Sequence, residues 1–177
     1  LLASGGSTNL IIHLIAMAEA GGFKITIEDI DEIASITPII ANVYPNGTAD
    51  VNEFHNSGGV AAFIGSLLDG GYLFDDVQTL LGYGLGVYRN KLEIQDESLI
   101  WKDKSIILDQ SIIRDINNPF RQTGGLKLIN GNIGKGVIKT SALKNPDKVI
   151  KAPAVVFDDQ DDVLKAFNEG ELNKDLI

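Results

Sequence analysis

Apolar positions in the first half of the chain come in blocks separated by glycine pairs. Leu10, Ile11, Ile12, Leu14, Ile15, Met17 and Ala18 are apolar on most sides of a helical wheel, so the pattern predicts a buried helix and not an amphipathic one. Ser7, Thr8 or Asn9 can cap its start, and Gly21-Gly22 stops it near Ala20. Ile27, Ile30, Ile33 and Ala34 share one face of a second helix, over about 27–35. Thr26 opens it with Asp29 three residues on, an imperfect capping box, and Pro38 limits it. Val43-Tyr44-Pro45-Asn46-Gly47 is a turn signal, and Asp50 with Glu53 forms another cap pair. After Gly58-Gly59, the spacing of Val60, Ala61, Phe63, Ile64, Leu67 and Leu68 predicts a short helix, which Gly70-Gly71 ends. Residues 76–87 fit strand and helix equally.

From about Asp96 the texture changes. Short β-branched runs appear at 105–108, 112–113, 126–129, 137–140 and 149–157. Turn residues such as Asn117-Asn118-Pro119, Gly124-Gly125 and Asn130-Gly131-Asn132 separate them, as in a mainly β unit. A last helix is expected over 161–168, behind Asp158-Asp159. The expected fold is mixed α/β, with an α-rich part over 1–95 and a β-rich part over 96–177.

Composition narrows the partners. The 177 residues are 44% hydrophobic and 22% charged, the mix of a soluble globular protein. A net charge of −9 and a pI near 4.6 oppose binding to nucleic acid or an anionic membrane, but leave a small anionic ligand open. With no cysteine, the chain holds no disulfide and no thiolate-bound metal or cluster, and the cytosol is the default compartment. The apolar run Leu10–Ala18 contains His13 and is too short to span a bilayer. The chain opens on Leu1-Leu2-Ala3-Ser4 without a basic leader or an initiating Met, which suggests a fragment or a processed chain.

Few residues carry candidate chemistry. In Gly5-Gly6-Ser7-Thr8-Asn9 the glycines allow close approach, Ser7 and Thr8 offer hydroxyls, and a helix start favours an anion. The site reading is contact with a carboxylate or phosphate; a plain N-cap is the commoner role of such residues. His13 is expected to be buried and hydrogen-bonded, and His55 partly exposed. Neither has a partner at nucleophile–base spacing. Asn130-Gly131-Asn132-Ile133-Gly134-Lys135-Gly136 reads as a tight β connection with positive φ at several positions. Asp158-Asp159-Gln160-Asp161-Asp162 reads as a solvated helix start.

Several stretches, in order, resemble one enzyme family. They are Ala3-Ser4-Gly5-Gly6-Ser7-Thr8-Asn9 with His13-Leu14, Tyr44-Pro45-Asn46-Gly47 with Ala49-Asp50-Val51-Asn52 and Phe54, and Gly58-Gly59-Val60. Asn118-Pro119-Phe120, Gly124-Gly125-Leu126-Lys127-Leu128, Gly131-Asn132-Ile133-Gly134, Val137-Ile138-Lys139-Thr140-Ser141-Ala142 and Ala152-Pro153-Ala154-Val155-Val156-Phe157 follow. The chain thereby resembles the dihydroxy-acid and phosphogluconate dehydratases. It is most similar to members acting on a phosphorylated sugar acid, then to those of branched-chain amino-acid synthesis, then to those acting on unphosphorylated sugar acids.

The resemblance implies the end of an N-terminal α/β domain followed by part of a barrel-like β domain. It implies loss of water from a 2,3-dihydroxy acid, giving an enol that becomes a 2-keto-3-deoxy acid. It also implies a homodimer and an iron–sulfur cluster, expected to be 4Fe–4S, acting as Lewis acid on the leaving hydroxyl. The family's cluster cysteines precede the matching stretch, and its acidic metal ligand and serine base follow it. No catalytic residue and no metal ligand therefore transfers to this chain, which alone is expected to be inactive and cluster-free. Ser7, Thr8 and Asn9 remain as candidates to bind substrate. A stand-alone anion-binding or scaffolding domain is the competing class.

Overall fold

Ser7 is extended, at φ −70° and ψ 144°, and its side chain accepts from the Asn9 N–H, so the first helix starts at the next residue. The computed structural model describes residues 1–143, 145 and 149–177. Helix α1 is Thr8–Ala20, α2 is Ile27–Ile36, α3 is Val51–Asn56, α4 is Gly59–Asp69 and α5 is Gln160–Asn168. Both cap pairs read from the sequence close as full capping boxes, Thr26 with Asp29 on α2 and Asp50 with Glu53 on α3. Glycines Gly21 and Gly70 follow α1 and α4 as C-caps.

The strands are β1 Gln78–Thr79, β2 Gly82–Tyr83, β3 Asn90–Gln95, β4 Ser98–Lys104, β5 Leu126–Asn130 and β6 Lys135–Lys139. They pair as three separate two-stranded antiparallel sheets, and among the described residues no barrel closes. The runs at 126–129 and 137–140 become the β5–β6 hairpin. The runs at 105–108 and 149–157 join no ladder, because β-branched residues make a strand only where a partner backbone lies alongside. The hairpin β3–β4 has Asp96 and Glu97 at positive φ in its turn, without the glycine that usually announces such a turn. In the β5–β6 turn, only Gly134 of the three glycines has positive φ, not several.

The chain folds as two compact units, Leu1–Leu143 and Lys144–Ile177. In the first, the extended stretch after α2 is the axis. Ile39 bridges Arg121, Ala41 bridges Ile113, and Val43 bridges Ala49. The Ile40 N–H donates to the Ala3 carbonyl, and the Arg114 N–H donates to the Ile40 carbonyl, both at 2.9 Å. Two apolar clusters flank it: Leu2, Ile11, Ile30, Ala34 and Leu126 in one, Ala3, Ile40 and Leu67 in the other. The second unit contains α5, whose N-cap Asp159 accepts from the Asp161 N–H at 2.8 Å, as expected of an acidic helix start.

Helix α1 corrects one expectation. Only Ile11 of it is buried, while Ile12 and Met17 are 68% and 67% exposed. An all-apolar helix is buried only if protein lies on every side of it, and here Leu2, Ile30 and Leu126 cover the Ile11 side alone. His13, two residues past Ile11 and so on the far side, is exposed and not buried.

Asp31 ties α2 to β5. Its carboxylate accepts from the Leu128 N–H at 2.7 Å and from Lys127 Nζ at 2.9 Å. The Leu128 N–H first, and Lys127 second, hold the Asp31 carboxyl below its ordinary value. A carboxyl lowered on folding stabilises the fold above its unfolded-state pKa, and that contribution is lost as pH falls through the folded-state value. Asp31→Asn should therefore lower stability at neutral pH, and the gap to the parent should close in acid. Urea unfolding of both proteins across pH 2–7 (roughly the carboxylate titration range) checks this; a gap independent of pH would contradict it.

Candidate functional site

The turn before α1 is built by backbone hydrogen bonds. The Gly5 N–H donates to the Leu2 carbonyl at 3.1 Å, and the Gly6 N–H to the Leu1 carbonyl at 3.0 Å. Gly5 has φ +64°, and a Cβ there would run into the Asn46 side-chain amide, so glycine is required twice over. This turn delivers Ser7, Thr8 and Asn9 together at the helix start, Ser7 and Asn9 exposed and Thr8 half-buried. No acidic residue occupies the first turn of α1, so the helix itself sets no negative charge against the positive end of its dipole.

Three further side chains converge behind the turn. Asn46 Nδ2 and Lys139 Nζ both donate to the Gly5 carbonyl, at 2.6 and 2.9 Å. Ser141 Oγ donates to Asn46 Oδ1 at 3.0 Å. Burial pushes the Lys139 ammonium below the usual lysine value. Ser141 is itself buried, and its N–H donates to the Gly125 carbonyl at 3.1 Å.

A cavity of about 700 Å³ lies elsewhere, between the start of α4 and the β3–β4 hairpin, lined among others by His55, Gly59, Tyr88, Trp101 and Lys104. Ser7, Thr8 and Asn9 are not part of its wall. His55 is exposed at its rim, and the two histidines do not meet.

Comparison with known proteins gives the family of the chain. Residues 1–88 match the profile described as dihydroxy-acid/6-phosphogluconate dehydratase N-terminal, and residues 111–177 match its C-terminal counterpart. The chain belongs to the dihydroxy-acid/6-phosphogluconate dehydratase family. It is 44% identical over 178 residues to a phosphogluconate dehydratase of Pseudomonas aeruginosa, and 43% identical over 180 residues to one of Escherichia coli strain K12, with all of this chain matched in both. It is 33% identical over 178 residues, 99% of this chain, to a dihydroxy-acid dehydratase of Prochlorococcus marinus. The chain spans about 30% of the length of these relatives, 29%, 30% and 29% respectively.

Within the dehydratase family frame, the cluster at Gly5 joins the two matched segments. Gly5 and Asn46 belong to the N-terminal one, and Lys139 and Ser141 to the C-terminal one. Asn46, Lys139 and Ser141 were not legible as site residues. They lie in stretches that resemble the family, but no spacing rule pairs a turn asparagine with a lysine so far along the chain. As for an iron–sulfur cluster, the chain offers no thiolate, and among the described residues no three His, Asp or Glu side chains gather to hold a metal. These residues do not fit a cluster. Among the described residues no helix is long and apolar enough to cross a membrane.

Proposed function

We propose that this chain is part of a hydro-lyase that dehydrates 6-phosphogluconate to 2-keto-3-deoxy-6-phosphogluconate, a step of the Entner–Doudoroff pathway. The observation that carries the reading is the gradient of similarity. Phosphogluconate dehydratases match at 39–44% over the whole chain, against 33% for a dihydroxy-acid dehydratase. The whole protein acts in the cytosol as a homodimer and uses an iron–sulfur cluster of 4Fe–4S type, whose ligands this chain does not supply. The isolated 177 residues are inactive. The division at 95/96 is kept as part of this reading, falling between the two family segments, 1–88 and 111–177, and inside the compact unit Leu1–Leu143.

Ser7, Thr8 and Asn9 bind the substrate through its carboxylate or phosphate. A helix start with two hydroxyls and no acid in its first turn suits an anion. This binding orients the dihydroxy acid and supplies no proton transfer of its own. The reading is tested on the full-length protein, purified without oxygen, with 6-phosphogluconate and a branched 2,3-dihydroxy acid offered separately. Trapping the 2-keto product as a semicarbazone should show kcat/KM at least about ten-fold higher for 6-phosphogluconate, a difference of about 1.4 kcal/mol. Preference for the branched acid, or no keto acid from either, overturns the assignment.

A further inference from the structure

The Gly5 carbonyl carries two side-chain donors that arrive from 41 and 134 residues away. A carbonyl oxygen has two lone pairs, so both of its acceptor sites are taken. The donors are not loose. Asn46 is gripped at its other end by Ser141, which in turn packs so closely on Gly125 that a Cβ there would run into the Ser141 side chain. Lys139 belongs to none of the ion pairs among the described residues. Its ammonium donates to a neutral backbone oxygen two residues before Ser7.

We propose that Lys139 and Asn46 are positioning residues, which fix the direction of the Gly5 peptide and so the place at which Ser7 and Thr8 meet the substrate's anionic group. The inference rests on the reading of Ser7 and Thr8 given above. A donor that positions the turn controls how well the pre-formed site fits the anion, and hence binding more than chemistry. Partial burial supports this role, since a desolvated ammonium makes a stronger hydrogen bond than an exposed one.

The test uses the full-length holoenzyme with 6-phosphogluconate. Lys139→Met should raise KM about ten-fold and leave kcat within about two-fold, as loss of a ground-state contact does. Asn46→Ala should raise KM in the same sense and carries the test should Lys139→Met not fold. Lys139→Arg should recover most of the KM, because a guanidinium also donates to the carbonyl. In the same proteins, hydrogen exchange at the amides of residues 6–10 should quicken in Lys139→Met and return towards the parent rate in Lys139→Arg. An unchanged KM in both Lys139→Met and Asn46→Ala overturns the proposal, while changed KM in Ser7→Ala or Thr8→Val would leave the substrate site standing. If the parent does not act on 6-phosphogluconate, the proposed activity falls, and exchange alone decides: unchanged protection at 6–10 overturns the positioning role, faster exchange upholds it.

Discussion

Replacing Ile40 or Ile113 with alanine is expected to lower the stability of the full-length protein by about 2–5 kcal/mol each. Both side chains are 0% exposed and are the largest fully buried ones among the described residues. Ile40 packs with Ala3 and Leu67 while its backbone bonds to Ala3 on one side and Arg114 on the other. Three peptide segments therefore pin the backbone around this side chain. It has little room to collapse into a cavity, and a site that cannot collapse sits at the costly end of the range. Ile113 lies directly across the bridge to Ala41, so its loss would open the same layer from the other side. A graded series sharpens the test. Ile40→Val should cost only about 0.5–1.5 kcal/mol, because one methylene is removed. Urea midpoints of the three variants and the parent measure it. An Ile40→Ala midpoint no lower than that of Ile40→Val would show that the layer is not the core described.

The second large effect is kinetic. Thr8→Val in the full-length enzyme should lower kcat/KM for 6-phosphogluconate by about ten- to a hundred-fold, because a charge-assisted hydrogen bond to an anion is worth roughly 1.5–3 kcal/mol. Valine keeps the shape of threonine, and Thr8 is not the cap, so the fold should be little affected. Ser7→Ala should show both effects. It removes the Oγ that accepts from the Asn9 N–H at 3.2 Å, at a cost on the order of 1 kcal/mol of stability, and it also removes a hydroxyl from the anion's reach. Melting temperature and steady-state kinetics on the same preparations separate the two. If melting falls in Ser7→Ala while kcat/KM per folded enzyme is unchanged in both variants, the residues are only a helix start and the site assignment is wrong.

What was legible in the sequence is what is encoded within four residues. The Ser7 cap, both capping boxes and the glycine stops of α1 and α4 each depend on near neighbours, and each is where the pattern put it. The β5–β6 hairpin was legible for the same reason. Burial of α1 was not, because the apolar character of Ile12 and Met17 reports the surroundings a helix needs, and not which part of a protein supplies them. The β3–β4 turn was missed because Asp96 and Glu97 take up positive φ without glycine. The convergence of Asn46 and Lys139 on Gly5 depends on distant segments meeting, and periodicity does not carry that information.

The bridges around Ile40 also have a consequence for chain length. Asn42 Nδ2 donates to the Ser111 carbonyl 69 residues later, and the Asn42 N–H donates to the Ile112 carbonyl, so the intervening stretch leaves the axis and returns beside its own point of departure. For a loop closed in this way, added length costs only logarithmically; doubling it costs about 0.6 kcal/mol. The turns between these anchors, though not the helices and strands there, can therefore absorb insertions more cheaply than the anchors themselves. Extra residues at the Asp96-Glu97 turn lengthen a loop that is already closed, and leave the pairings of Ile39 with Arg121 and Ala41 with Ile113 in register.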